Sequence, residues 1–325
     1  MLIGARVVQG VYAALLTPAA LALLTVTFLD PRERAKAFAV NGAIAGGGMA
    51  GGLILGGLLS QYVSWRWTLG INVPLSAVAI LMGVKFLRES RAEGERRYDI
   101  PGVVMSAIGL GMLVYGFTIA GEEGRGWTAP LTLPLTIGGF LVLVVFVLWE
   151  RRSSHPLLPM RVFMDRSRGG SYLALVLTAI GLSALFFFLT FYFQGSLGLS
   201  PLQTGLAFIP FAIAIVATST LTASLLPKTG PRPLVVSGSL IAAAGMLMLS
   251  RLSVDTHLAF IMGAEVLVGV GVALAVVPLS STALIGVDDG DAGVASALVN
   301  AVQQIGAAMG ITLLNAAAAS ATPVT

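Results

Sequence analysis

Arg6 and Glu265 are the two ionisable residues that fall well inside long apolar stretches of this chain. A charge at bilayer depth costs about 2.5–3.5 kcal/mol on insertion scales, so such a residue normally faces a cavity or a partner. A carboxyl held there can take up and release a proton as its surroundings change, and a nearby arginine tunes that exchange by its opposite charge. The sharper reading makes Glu265 a proton carrier tuned by Arg6. The plainer one puts both near the outer ends of their helices, with the long side chains reaching back to water. Gln9, Gly10, Ala13 and Thr17 share a helical face with Arg6 at spacings of three and four. That polar, small-residue stripe suits a water-filled cavity and suits helix packing equally well.

Three further groups could do chemistry or position it. Ser296, Asn300, Gln303 or Gln304, and Ala307 recur at helical spacing near the C-terminal end, with Asn315 further on. Amides at membrane depth bond across helices or meet polar ligand groups. Phe186, Phe187, Phe188, Phe191, Tyr192, Phe193 and Gln194 form an aromatic run. Aromatic walls suit apolar or cationic small molecules, although rings on all sides of one helix must mostly face lipid or neighbours. The stretch 38–62 is dense in glycine: Gly42, Gly46, Gly47, Gly48, Gly51, Gly52, Gly56 and Gly57. Small residues four apart let backbones approach closely, either as a static contact or as a moving one.

The elements that must carry these residues are ten membrane-spanning helices. A hydrocarbon core about 30 Å thick takes roughly 20 apolar residues in a helix. Spans are predicted near 2–29, 38–62, 68–87, 101–120, 130–149, 170–194, 202–226, 233–250, 257–285 and 292–318. Alternate gaps hold 15 of the 19 basic residues: Arg32, Arg34 and Lys36; Lys85, Arg88, Arg91, Arg96 and Arg97; Arg151, Arg152, Arg161, Arg166 and Arg168; Lys228 and Arg232. Basic loops stay cytoplasmic, so both ends of the chain are expected outside. The gap 287–291 carries Asp288, Asp289 and Asp291 without Lys or Arg, and acids count little in this rule.

A mean hydropathy of +0.91 with 10% charged residues excludes a soluble globule or a disordered chain. The sequence pI near 9.7 reflects short basic loops, so nucleic acid is not an expected partner. With no cysteine and two histidines, His155 and His257, neither a metal site nor a cofactor is expected. No P-loop pattern points to ATP. The sequence shows no nucleophile–base pair, carboxylate dyad or metal cluster, so an enzyme is disfavoured. Met1 enters the first span with no signal-peptide pattern before it, which suggests upstream sequence.

A weak internal repeat guides the helix count. Arg6-Val7-Val8-Gln9-Gly10-Val11, with Pro18 beyond, parallels Glu265-Val266-Leu267-Val268-Gly269-Val270, with Pro278 beyond. Transporters are commonly built from repeated bundles. Equal halves would need three further helices before Met1 and one after Thr325. The pair at 101–120 and 130–149 would then lie between the halves, in a parent of 14 helices.

These residues resemble the major facilitator superfamily, specifically its 14-helix drug:proton antiporter branch, from the fourth helix to the thirteenth. Arg6-Val7-Val8-Gln9-Gly10 is similar to the fourth-helix arginine motif, and Trp65-Arg66-Trp67 with Ile71-Asn72-Val73-Pro74 to the signature around the sixth. Asp99-Ile100-Pro101-Gly102, His155-Pro156-Leu157-Leu158-Pro159, Ser200-Pro201-Leu202-Gln203-Thr204-Gly205 with Pro210, and Asn300 with Gln303-Gln304-Ile305-Gly306 also match in order and spacing. In the fifth helix the family usually carries Gly-Pro before a Gly-Gly pair, and here Gly52-Leu53 precedes Gly56-Gly57.

The resemblance implies an all-α integral membrane transporter fold of about ten helices, truncated at both ends. It divides into a partial N-terminal bundle (1–88), an inserted pair with linkers (89–168) and a C-terminal bundle (169–325). It implies a multi-pass protein of a prokaryotic cytoplasmic membrane, a monomer that exports small amphipathic or cationic compounds in exchange for protons. Export of a single native metabolite, or a non-transporting remnant, are the alternatives. Arg6, Glu265 and Gln9 become proton-coupling candidates. Thr17, Phe187, Phe191, Tyr192, Gln194, Asn300, Gln303 and Gln304 become cavity candidates. Gly48, Gly52, Gly56, Gly57, Asn72 and Pro74 become the conformational motif.

Overall fold

Buried backbone amides in hydrocarbon must bond within their own segment, so an apolar chain of this kind folds into helices. The computed structural model describes residues 2–27, 30–86, 99–121, 127–153, 165–253, 255–284 and 292–321. Ordered structure there is helical throughout, and helices occupy all ten expected spans. They are α1 (Leu2–Thr27), α2 (Pro31–Tyr62), the short α3 (Trp67–Gly70) leading into α4 (Asn72–Phe86), α5 (Ile100–Ala120) and α6 (Thr132–Glu150). There follow α7 (Arg166–Phe191), the short α8 (Pro201–Ala207), α9 (Ile209–Thr229), α10 (Pro231–Leu249), α11 (Leu258–Leu284) and α12 (Ala292–Ala321). Among the described residues, seven segments are long and apolar enough to cross a membrane. The protein is a multi-pass membrane protein.

Local chemistry sets the helix ends. Asp99 caps α5 by accepting from the Gly102 amide at 3.0 Å, with Pro101 in the first turn. Asp165 caps α7 by accepting from the Ser167 and Arg168 amides. Ser200 and Gln203 form a reciprocal capping box on α8, and Pro201 follows the cap. Pro210 follows the break at Phe208 that separates α8 from α9, since a proline nitrogen cannot continue a helical ladder. Several boundaries differ from expectation: Arg166 and Arg168 lie in α7, Lys228 in α9 and Arg232 in α10, and the largest difference is at α2. Arg32, Arg34 and Lys36 belong to the first turns of α2 rather than to a loop, because Asp30 accepts from the Glu33 amide and starts the helix early.

Packing relies on glycine. α11 lies along α10 and α9 and also meets α7; α12 packs on α7, and α5 pairs with α6 while touching α12. An ideal Cβ on Gly306 would sit 2.6 Å from the Val176 carbonyl oxygen, and one on Gly238 would sit 2.6 Å from that of Gly271. These are backbone-to-backbone contacts that no side chain could share. At the end expected to face outward, α2 meets α8 in the same way. A Cβ on Gly57 would be 2.8 Å from the Pro201 carbonyl, and one on Gly205 would be 2.5 Å from that of Leu53. Gln61 Oε1 adds a bond from the Leu202 amide at 3.3 Å.

At the opposite end, expected to face inward, the α5–α6 pair is closed by acids 51 residues apart in sequence. Trp149 Nε1 donates to both Asp99 oxygens, at 2.9 and 3.0 Å. Glu150 is 2% exposed, and a Cβ on Gly102 would meet its Oε1 at 2.6 Å and Asp99 Oδ2 at 2.9 Å. The sequence had offered no carboxylate dyad; the fold makes one over Gly102. Burial works to raise the Asp99 carboxyl, but hydrogen bonds from Trp149, the Gly102 amide, Ser153 and Glu150 outweigh it. The group is held below its ordinary value of 3.8.

Two outcomes follow from these contacts. Gly205→Ala should cost about 1–3 kcal/mol through overpacking against Leu53, while Gly52→Ala, which meets no described atom within 4 Å, should be neutral or gain up to about 1 kcal/mol. Thermal unfolding of the detergent-solubilised protein, followed by circular dichroism, compares them. For Asp99, whose folded value lies below 3.8, the stabilisation is complete at neutral pH and lost as pH falls from there through the folded value. Hydrogen exchange at the Gly102 amide, corrected for intrinsic rate, should therefore stay slow down to about pH 4 and accelerate below it.

Candidate functional site

A cavity of about 270 Å³ opens between α7, α11 and α12. From α7 it takes Thr178, Ser183 and Phe186; from α11, Val272 and Val276; from α12, Gln303 and Gln304. Helical spacing explains the grouping. Phe186 lies eight residues and about two turns from Thr178, and Gln303 and Gln304 flank the face of α12 whose Gly306 presses on α7. The Thr178 hydroxyl donates to its own helix at the Ala174 carbonyl, 2.8 Å away, which leaves its oxygen free to accept. Ser183 and the two glutamine amides make no hydrogen bond to another described residue.

Glu265 lies on the same stripe of α11 as Val272 and Val276, seven and eleven residues before them. That places it about 10 Å further toward the outer end. Its side chain is 0% exposed, and neither carboxyl oxygen has a partner among the described residues. Ile261, Ala264 and Val268 beside it are equally inaccessible. Phe193, Phe208 and Phe211 belong with Ile261 and Val268 to one core cluster. The group therefore does not reach water.

Arg6 does not meet it. The Arg6 guanidinium is exposed and donates from Nη1 to Gln9 Oε1 at 2.9 Å. The expected Arg6–Gln9 face thus forms as a bonded pair, while the expected tuning of Glu265 by Arg6 is not formed, because Glu265 is wholly buried and Arg6 is exposed. The side chain of Thr17 lies outside the described residues.

The aromatic run divides around α7. Phe186, named in the run but not among the cavity candidates, turns inward to the cavity and packs against Phe208 and edge-on with Phe211, with centroids 5.0 and 5.1 Å away. Phe187 and Phe191 pack on each other at 4.9 Å, and Phe191 is 64% exposed. Tyr192 lines a separate apolar cavity of about 470 Å³ between α7 and α10, and its hydroxyl donates to the Ser253 carbonyl at 2.7 Å. Gln194 is exposed in the wide turn that ends α7. Asn300 donates to the Ser296 carbonyl of its own helix at 3.1 Å.

Of the glycine candidates, Gly57 alone makes a close interhelical approach. Gly48, Gly52 and Gly56 line a groove of about 380 Å³ shared with Asn72, whose amide donates to the Leu69 carbonyl at 3.1 Å. Pro74 is exposed in the first turn of α4. Ser183 was missed, and Phe186 was named in the aromatic run but not among the cavity candidates, because an isolated hydroxyl and one ring among six carry no period that separates them from their neighbours. Their spacing to Thr178 was the available signal.

Comparison with known proteins places this geometry in a family. Residues 1–311 match the profile described as Major Facilitator Superfamily. The chain is 46% identical over 323 residues to the puromycin resistance protein pur8 of Streptomyces alboniger, covering 98% of this chain and 63% of that protein. It is 36% identical over 318 residues to the cephamycin export protein CmcT of Amycolatopsis lactamdurans, covering 96% and 65%. The tetracenomycin C resistance and export protein of Streptomyces glaucescens is 31% identical over 316 residues, covering 97% and 58%. The chain thus spans less than two thirds of the length of these relatives. With a profile match over nearly its whole length and helices at every expected span, the chain belongs to the Major Facilitator Superfamily.

Proposed function

We propose that the protein is a secondary active exporter that moves small amphipathic compounds out across the cytoplasmic membrane in exchange for protons. The observation that carries this reading is Glu265: a wholly buried, unpartnered carboxyl on the same helical stripe as the wall of the α7–α11–α12 cavity. A carboxyl with no fixed counter-ion takes its charge state from whatever reaches it. In this conformation the α2–α8 contact closes the outer end. Parting it admits a proton to Glu265 from outside, and closing it again returns the cavity to the inner side. The exchange couples inward proton movement to outward substrate movement without ATP.

The relatives' names support drug export, and pur8 and CmcT are each named for one compound. That favours a second, narrower reading in which this chain exports one antibiotic-like metabolite. We also read α1–α4 as a partial N-terminal bundle (1–88), the α5–α6 pair with its linkers (89–168) as an insertion, and α7–α12 as the C-terminal bundle (169–325). This organisation is that of the 14-helix branch.

Efflux of a fluorescent dye from energised cells expressing the protein tests the coupling role. Glu265→Gln keeps the size and hydrogen-bonding capacity of the side chain and removes its proton exchange, so efflux should fall about a hundredfold, while a proton uncoupler should abolish it in the wild type. Undiminished uncoupler-sensitive efflux in the variant would remove Glu265 from the mechanism.

A further inference from the structure

We infer that the α7–α11–α12 cavity binds an uncharged hydrogen-bonding group, such as an amide, lactam or hydroxyl on an apolar frame, and discriminates against permanent cations. This rests on the reading of that cavity as the substrate site and narrows what it accepts.

The argument is one of supply. Gln303 and Gln304 each offer an amide oxygen and an amide NH₂, and Ser183 adds a hydroxyl. None of the three is bonded to another described residue, so their hydrogen-bonding capacity is open to a ligand. The rest of the lining is apolar apart from the Thr178 oxygen. Ligand groups that both donate and accept satisfy such a set completely, and a group left unmatched there costs about 1–3 kcal/mol.

A cation meets no charge of opposite sign on the described walls. Among the described residues, no acidic side chain lines the cavity. Residues 292–321 of α12 contain no ionisable residue at all, and the carboxyl of α11, Glu265, is sealed about 10 Å away. On α7 the nearest charges, Arg166 and Arg168, are basic and lie at the inner end. Phe186 does not substitute for an acid. Its ring already packs against Phe208 at a 50° tilt and Phe211 at 88°, which leaves less of it for a cation. A desolvated cation would find only dipoles here, which offset less of its burial penalty than a carboxylate would.

The test uses two probes that share one fluorophore. Dansyl amide is uncharged, and dansylaminoethyl-trimethylammonium carries a permanent positive charge. Binding to the purified protein in nanodiscs of neutral lipid is read by fluorescence anisotropy, with protein-free nanodiscs subtracted. Dansyl amide should bind at least about tenfold more tightly than the cation. The double variant Gln303→Leu/Gln304→Leu should lose that preference by weakening dansyl amide about tenfold with the cation unchanged. Gln304→Glu should shift the preference toward the cation.

Equal or tighter binding of the cation to the wild type overturns the inference, as does unchanged dansyl amide binding in the double variant. Binding is read without transport, so the two proposals fail separately. Loss of dye efflux in cells with the neutral preference intact sinks only the export reading. Proton-coupled efflux with no neutral preference sinks only the specificity.

Discussion

Lipid gives two apolar helices no reason to associate through the hydrophobic effect, since a leucine is as well solvated by acyl chains as by another leucine. What remains is close contact and hydrogen bonding, and this fold is built on the first. Gly57 against Pro201, Gly205 against Leu53, Gly238 against Gly271 and Gly306 against Val176 each bring one helix onto the backbone of another. The Gly306 contact fixes the spacing of α7 and α12, and that spacing defines one side of the cavity between them. Widening it by a methyl group would move the walls that hold Gln303 and Ser183.

Hydrogen bonding is handled mostly inside each helix. Thr190 bonds the Phe186 carbonyl, Thr222 that of Thr218 and Thr282 that of Pro278, each at 2.6–2.7 Å. A hydroxyl tied back in this way costs nothing to bury and asks nothing of a neighbour. Against that background, the Glu265 carboxyl, the Gln303 and Gln304 amides and the Ser183 hydroxyl stand out, because among the described residues they make no hydrogen bond. Polar groups inside the membrane are expensive, which is why the proposed ligand and proton contacts fall on these four.

Much of this was legible in residue pattern alone. Apolar length set the ten spans, and the Ser200–Gly205 motif is visible as a cap followed by a contact glycine. Gln303 and Gln304 were identified from helical spacing before any geometry was known. Other features were not readable, for physical reasons. An aromatic run that encircles α7 does not say which ring turns inward, because that depends on what packs against each side; Phe186 faces the cavity and Phe191 is exposed. Asp99 stands out only within its motif and Glu150 not at all, since they lie 51 residues apart and only the pairing of α5 with α6 unites them. The expected link between Arg6 and Glu265 rested on opposite charge, and charge carries no information about which face of α11 the glutamate occupies.

The Tyr192 hydroxyl bond to Ser253 has a mechanical consequence. It ties the wide turn at the end of α7 to the segment between α10 and α11, five residues before α11 begins. Leverage applied to α7 at its outer tip is thereby handed to the start of the helix that carries Glu265. A tilt that reshapes the glutamine-lined chamber tugs, through one phenol, on the strut bearing the buried acid.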